Sequence, residues 1–190
     1  MSGDTLLFES LSDFYQASHY STGLHEILQG DTSISLRSID WFITNYSKKN
    51  NIYYQLYHDG EGHPSLHSDH REFHANINVH QSYKAQLKSY SKKTFDPFCR
   101  RKRILVPIGD HVMDTTIGQL NFFRWALQNG VVDYILSHKA AIEDDMNECL
   151  KKIKVSSSQK KHGRKKREEL SLSATRGLSK TNVGIELVFD

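Results

Sequence analysis

Two runs of cations carry the clearest chemical signal in this chain. FDPFCRRKRI, residues 95–104, sets Arg100, Arg101, Lys102 and Arg103 in a row beside Phe95 and Phe98. QKKHGRKKR, residues 159–167, packs Lys160, Lys161, Arg164, Lys165, Lys166 and Arg167 into nine positions around one glycine. Just upstream, Lys84, Lys88, Lys92 and Lys93 punctuate QSYKAQLKSYSKK. Guanidinium and ammonium groups bind phosphate oxygens and release condensed counterions, which gives affinity for a polyanion without reading its sequence. A basic face joined to a basic arm is a common footprint of nucleic-acid binding. Two other readings stay open: a nuclear-import address in KKHGRKKR, and a solvated surface that meets RNA or an acidic protein partner.

Net charge is only +3, but it is segregated. Residues 1–36 hold five acids (Asp4, Glu9, Asp13, Glu26, Asp31) and no Lys or Arg. Residues 84–103 hold eight bases against Asp96, and residues 150–167 hold nine bases and no acid.

Other candidate chemistry is weaker. His58, His63, His67, His70, His74 and His80 crowd into 23 positions with Asp69 and Glu72. Imidazole with carboxylate is a zinc donor set, yet HExxH is missing and no cysteine lies near, so a solvated polar loop is the preferred reading. No GxSxG, P-loop or GxGxxG occurs. His111 with Asp110 and Asp114 lacks a nucleophile, and Glu143, Asp144 and Asp145 fan out around a helix. No enzyme activity, catalytic residue, metal or cofactor is expected. Cys99 and Cys149 match no metal or redox spacing and read as half-buried thiols in a reducing compartment. The start shows no basic-then-apolar leader, and no apolar run is long enough to span a bilayer, so a soluble, unexported protein is expected.

An apolar fraction of 37 %, below the usual ~45–50 %, puts part of the 190 residues outside the core. The elements that would position the cations read as follows. Residues 1–36 form an acidic segment, with a short amphipathic helix or a docking peptide at Leu6–Tyr15. Ile39, Phe42, Ile43 and Tyr46 fit a helix capped by Ser38 and stopped at Asn50–Asn51, in preference to a strand. Residues 52–57 and 73–79 are strands around a polar loop, with Phe73, Ala75, Ile77 and Val79 alternating. Residues 82–92 form a basic amphipathic helix, which ends before Asp96–Pro97, and residues 104–108 form a short strand. Helices at 116–128 and 131–153 meet at Asn129–Gly130, where glycine supplies a left-handed residue. Residues 155–169 are too polar to bury and read as a mobile basic arm. Val183, Ile185, Leu187 and Phe189 alternate as a terminal strand that returns to the sheet or pairs with another molecule. The expected fold is α+β: a small mixed sheet packed by three to four helices over residues 37–154, with the arm near the C-terminus. The helix pair around Gly130 is expected to be core and a contact in a homo-oligomer. Its second helix is too acidic to enter a major groove.

FDPFCRRKRI, TIGQLNFFRWALQNGVVDYI and the closing GRKKREELSLSATRGLSKTNVGIELVFD resemble a family of small uncharacterised proteins of the nucleocytoplasmic large DNA viruses, the giant viruses of the mimivirus kind. The resemblance covers about residues 38–190. It implies an abundant virion component: a core-located, sequence-nonspecific DNA-compacting protein, present in the host cytoplasm or viral factory during infection. A minor capsid or internal scaffold protein is the rival. It brings no catalytic residues.

Overall fold

A computed structural model describes residues 3–16, 18–109 and 111–159. It is α+β, as expected. The elements in order are α1 (Gly3–Phe14), α2 (Ser18–Gln29), α3 (Leu36–Trp41), a π-helical turn (Phe42–Tyr46), α4 (Ser47–Lys49), β1 (Tyr53–His58), β2 (Pro64–Ser65), β3 (Glu72–Asn78), α5 (Val79–Thr94), β4 (Ile104–Ile108), β5 (His111–Thr115), α6 (Ile117–Gln128), α7 (Val131–Ser137) and α8 (Lys139–Gln159). The chain divides into two compact units, Met1–Cys149 and Leu150–Asp190. The core and both sheets belong to the first; of the second, only the end of α8 is described.

The core is built around α6. Its sequence is apolar on nearly every side, and Leu120, Phe122, Phe123, Trp125 and Ala126 are buried together with Gly118, Gln119 and Asn121. A helix apolar all round needs neighbours on all sides, and α1, α2, α5 and α7 supply them. Thr116 caps it by accepting from the Gln119 N–H at 3.1 Å. The acidic start belongs to this core: Leu11, Tyr15, Leu24 and Ile27 join the same apolar cluster as Phe122 and Phe123. Tyr15 Oη also donates to the Leu120 carbonyl at 2.8 Å.

Several expectations are corrected. Ser35, not Ser38, caps the helix at Leu36, accepting from the Ser38 N–H. The strands do not share one sheet. β1 pairs antiparallel with β2 and β3, whereas β4 pairs only with β5. β5 occupies residues expected to be loop and helix cap. Gly109 at φ +57 opens a tight turn that closes the pair Ile108↔His111, and the hairpin buries Val106, Ile108, Met113 and Thr115. The single helix expected over 131–153 breaks at His138. There φ is −120° and ψ 19°, and Nδ1 donates back to the Tyr134 carbonyl at 3.0 Å. Gly130 at φ +63 separates α6 from α7, as its position in Asn129–Gly130 implies. The basic arm, with Lys160, Lys161, Arg164, Lys165, Lys166 and Arg167, and the alternating segment at 183–189 lie outside the described residues.

Candidate nucleic-acid interface

α5 starts directly from β3, with Asn78 as its cap accepting from the Gln81 N–H at 3.0 Å. Lys84 and Lys88 lie four residues apart and so share one face of the helix. Ser91 at φ +57 kinks the last turn, ahead of Lys92 and Lys93.

The segment after α5 is stitched to the first turn of α6. The Asp96 N–H donates to the Gly118 carbonyl at 3.1 Å, Gln119 Nε2 to the Pro97 carbonyl at 2.9 Å, and Asn121 Nδ2 to the Thr94 carbonyl at 2.9 Å. A Cβ on Gly118 would lie 3.3 Å from the Lys93 carbonyl, a tight contact that glycine avoids. Phe95 is buried against Phe122 and Trp125. A hydrogen-bonded seam therefore leads into Arg100 to Arg103.

All eight expected cations of the folded face are exposed, but they are not equivalent. Asp96, only 6 % exposed, takes two hydrogen bonds from Arg100, Nε to Oδ2 at 2.8 Å and Nη2 to Oδ1 at 2.7 Å. The Arg100 guanidinium also lies over the Phe98 ring, 4.9 Å from its centroid. Arg103 pairs with Asp114 at 2.5 Å and Lys93 with Asp4 at 3.6 Å. These three have partners within the fold. Lys84, Lys88, Lys92, Arg101 and Lys102 have no carboxylate within ion-pair distance among the described residues. Asp40 moderates the face. Burial raises its pKa, while Arg100 and Lys92 draw it down and Asp96 pushes it up.

The histidines do not converge. Among the described residues, no group of three or more His, Cys, Asp or Glu is placed to hold a metal. His58 stacks on His74 at 3.9 Å, His63 bonds Asp59 at 3.2 Å, and His25 from α2 stacks on His111 at 4.1 Å. Burial, and next the neighbouring His74, hold the His58 pKa below the ordinary imidazole value, while Asp59 works the other way. Asp145 accepts from Trp41 Nε1 at 3.1 Å and from the Lys49 ammonium, so it ties α8 to the α3–α4 stretch instead of forming a metal site with its neighbours. Cys99 and Cys149 are both half-buried free thiols. An open cleft of about 780 Å³ between α2, α7 and the β2 loop is lined by charges of both signs, Glu26, Arg71 and Asp133, on apolar walls. Among the described residues, no helix is long and apolar enough to cross a membrane.

A protein-family model described as a family of unknown function (DUF7197) matches residues 1–175, so the acidic start lies inside the matched region. The chain is 40 % identical over 141 residues to the uncharacterized protein L507 of Acanthamoeba polyphaga mimivirus. That match covers 71 % of this chain and 50 % of the mimivirus protein; the chain thus spans half the length of this relative. No solved structure matches.

Proposed function

Since the chain belongs to this family of unknown function, DUF7197, and has a relative in a giant virus, we propose that it is a sequence-nonspecific DNA-binding architectural protein that compacts a viral genome in the virion core. The observation that carries this reading is the set of five exposed cations, Lys84, Lys88, Lys92, Arg101 and Lys102, left without carboxylate partners within ion-pair distance among the described residues. Side chains that were merely keeping a surface soluble would gain by pairing with nearby acids, as Lys93, Arg100 and Arg103 do. The second basic run, Lys160 to Arg167, adds six cations by sequence. Packing of α6 on α1, α2, α5 and α7 sets the first group on a firm base, and homo-oligomerisation would bring several such faces to one duplex.

A titration of fluorescent random-sequence duplexes tests the proposal. Binding is expected to be indifferent to sequence and to weaken steeply between about 50 and 200 mM salt. Removing residues 156–168 should reduce the steepness without abolishing binding. No binding at about 50 mM salt would remove the proposal.

A scaffold or minor-capsid role is favoured by a different observation. The outer face of the β4–β5 hairpin exposes Leu105 and Val112, at 73 % and 70 %, and the register makes them diagonal neighbours. Assembly of the purified protein without nucleic acid would support that role.

A further inference from the structure

The outward face of the β1–β3 pair carries aromatic side chains that the core does not use. In the antiparallel register Tyr53 lies opposite Asn78, Gln55 opposite Asn76, and Tyr57 opposite Phe73. Directly opposed residues point to the same side of a sheet, so these pairs form three rungs on one face. Leu56, Ala75 and Ile77 face the other way, toward the core. A β-bulge decides the outcome. Between Leu56↔Ala75 and Tyr57↔Phe73 the register shifts, and His74 is the extra residue. The bulge turns Phe73 away from the side of Ala75 and Ile77 and sets its ring edge-on to Tyr57, with centroids 6.2 Å apart.

Tyr53 is 72 % exposed and Phe73 56 %. Large aromatics left this open on a sheet face form an uncompensated apolar surface. The rung between them is polar. The Asn76 amide has no hydrogen-bond partner among the described residues, and Gln55 uses only its Oε1, which accepts from Tyr57 Oη at 2.7 Å. Two aromatic stations therefore stand four residues apart along β1, about 13 Å at the usual rise per residue, with free amide groups between them.

Charge complementarity indicates the occupant. Lys48, in the middle of α4 and five residues before Tyr53, is exposed and has no ion pair among the described residues. At the same end of the pair, β3 runs from Asn78, opposite Tyr53, without a loop into α5, which bears Lys84 and Lys88. Aromatic faces that stack bases, amides that meet base edges and cations that meet the backbone are what an unpaired nucleic-acid strand requires.

We propose that the exposed Tyr53–Gln55–Tyr57/Phe73–Asn76 sheet face binds single-stranded nucleic acid by stacking unpaired bases on Tyr53 and Phe73. This rests on the nucleic-acid reading above and adds a preference to it: duplex is held through phosphates alone, whereas an unpaired strand also engages the sheet.

Fluorescence anisotropy of the full chain with oligo-dT, oligo-rU and a duplex, matched in charge, tests it. Tyr53→Ala and Phe73→Ala should each weaken single-strand binding by about 5- to 150-fold and leave duplex binding unchanged, while Tyr53→Phe keeps the wild-type affinity. The dT and rU arms distinguish DNA from RNA as the source of unpaired bases. Irradiation of 5-iodouracil-substituted oligo-dT should place adducts on the peptides holding Tyr53 and Phe73. Wild-type single-strand affinity in both alanine variants, with duplex binding intact, overturns the stacking inference and spares the parent reading. Failure of the wild type to bind either form removes the parent reading itself. A shift in sedimentation on Tyr53→Ala, without any change in binding, identifies the face as a contact between copies and also overturns the inference.

Discussion

Arg100→Ala separates a cation that builds the fold from those left to meet a ligand. Asp96 is buried and receives both of its short hydrogen bonds from Arg100. Once the guanidinium is removed, the bond from the Phe98 N–H at 3.3 Å is what remains to the Asp96 carboxylate. Stranding a fully buried charge costs about 3–5 kcal/mol, while an exposed pair is worth below about 1 kcal/mol. The Arg100 side chain keeps 64 % of its exposure and Asp96 only 7 %, so water can reach part of the vacated site. The expected loss is about 2 kcal/mol, between those limits. For a chain of this length it lowers the melting temperature by about 4–8 °C. The loss should persist at high salt, because the carboxylate is shielded from mobile ions. Thermal and urea unfolding followed by circular dichroism would measure it, with Lys88→Ala as the control: Lys88 has no carboxylate partner in the fold and should change stability by less than about 0.5 kcal/mol. An Arg100→Ala protein as stable as the wild type, or a Lys88→Ala protein equally destabilised, refutes the division of the face into structural and free cations.

Three further outcomes are expected. His58 has a folded-state pKa below its unfolded value, owing first to burial and next to His74. Its contribution to stability is thus present above about pH 6.5 and is lost as pH falls through that unfolded value. A pH series of melting temperatures should show this decline, and His58→Asn should flatten it. Gly130→Ala places a side chain at φ +63 with its Cβ 3.1 Å from Leu56 Cδ1. The left-handed conformation alone costs about 1–2 kcal/mol, read as a lower urea midpoint at unchanged slope. Thr116→Ala removes the cap of α6 and should cost about 1 kcal/mol in the same assay.

What was legible in the sequence follows from what is local. Helix α6 and its stop were readable because Thr116 and Gly130 act within one turn of themselves. β1 followed from its aromatic and branched residues, β3 from alternation, and α5 from its amphipathic spacing and the stop at Asp96–Pro97. What was missed depends on distant partners. β5 is short, and Asp114, Thr115 and Thr116 serve a hairpin as readily as a helix start; the pairing of Met113 with Val106 decides between them. The break at His138 carries no glycine or proline, and a hydrogen bond to Tyr134 with ring stacking sustains it instead. Strict alternation put Phe73 on the side of Ala75 and Ile77, and only the bulge at His74 sends it outward. That is why the aromatic sheet face was invisible while the basic runs were not. Sequence likewise shows eight cations without showing that Asp96, Asp114 and Asp4 claim three of them.

The most direct test compares the salt dependence of duplex binding by the wild-type chain with that of a variant carrying glutamine at Lys84, Lys88, Lys92, Arg101 and Lys102. If these five groups meet phosphates, the plot of log K against log salt should become shallower by about 4–5, close to 0.9 for each phosphate no longer neutralised. An unchanged slope, with the variant still folded, would contradict the claim that this face holds DNA.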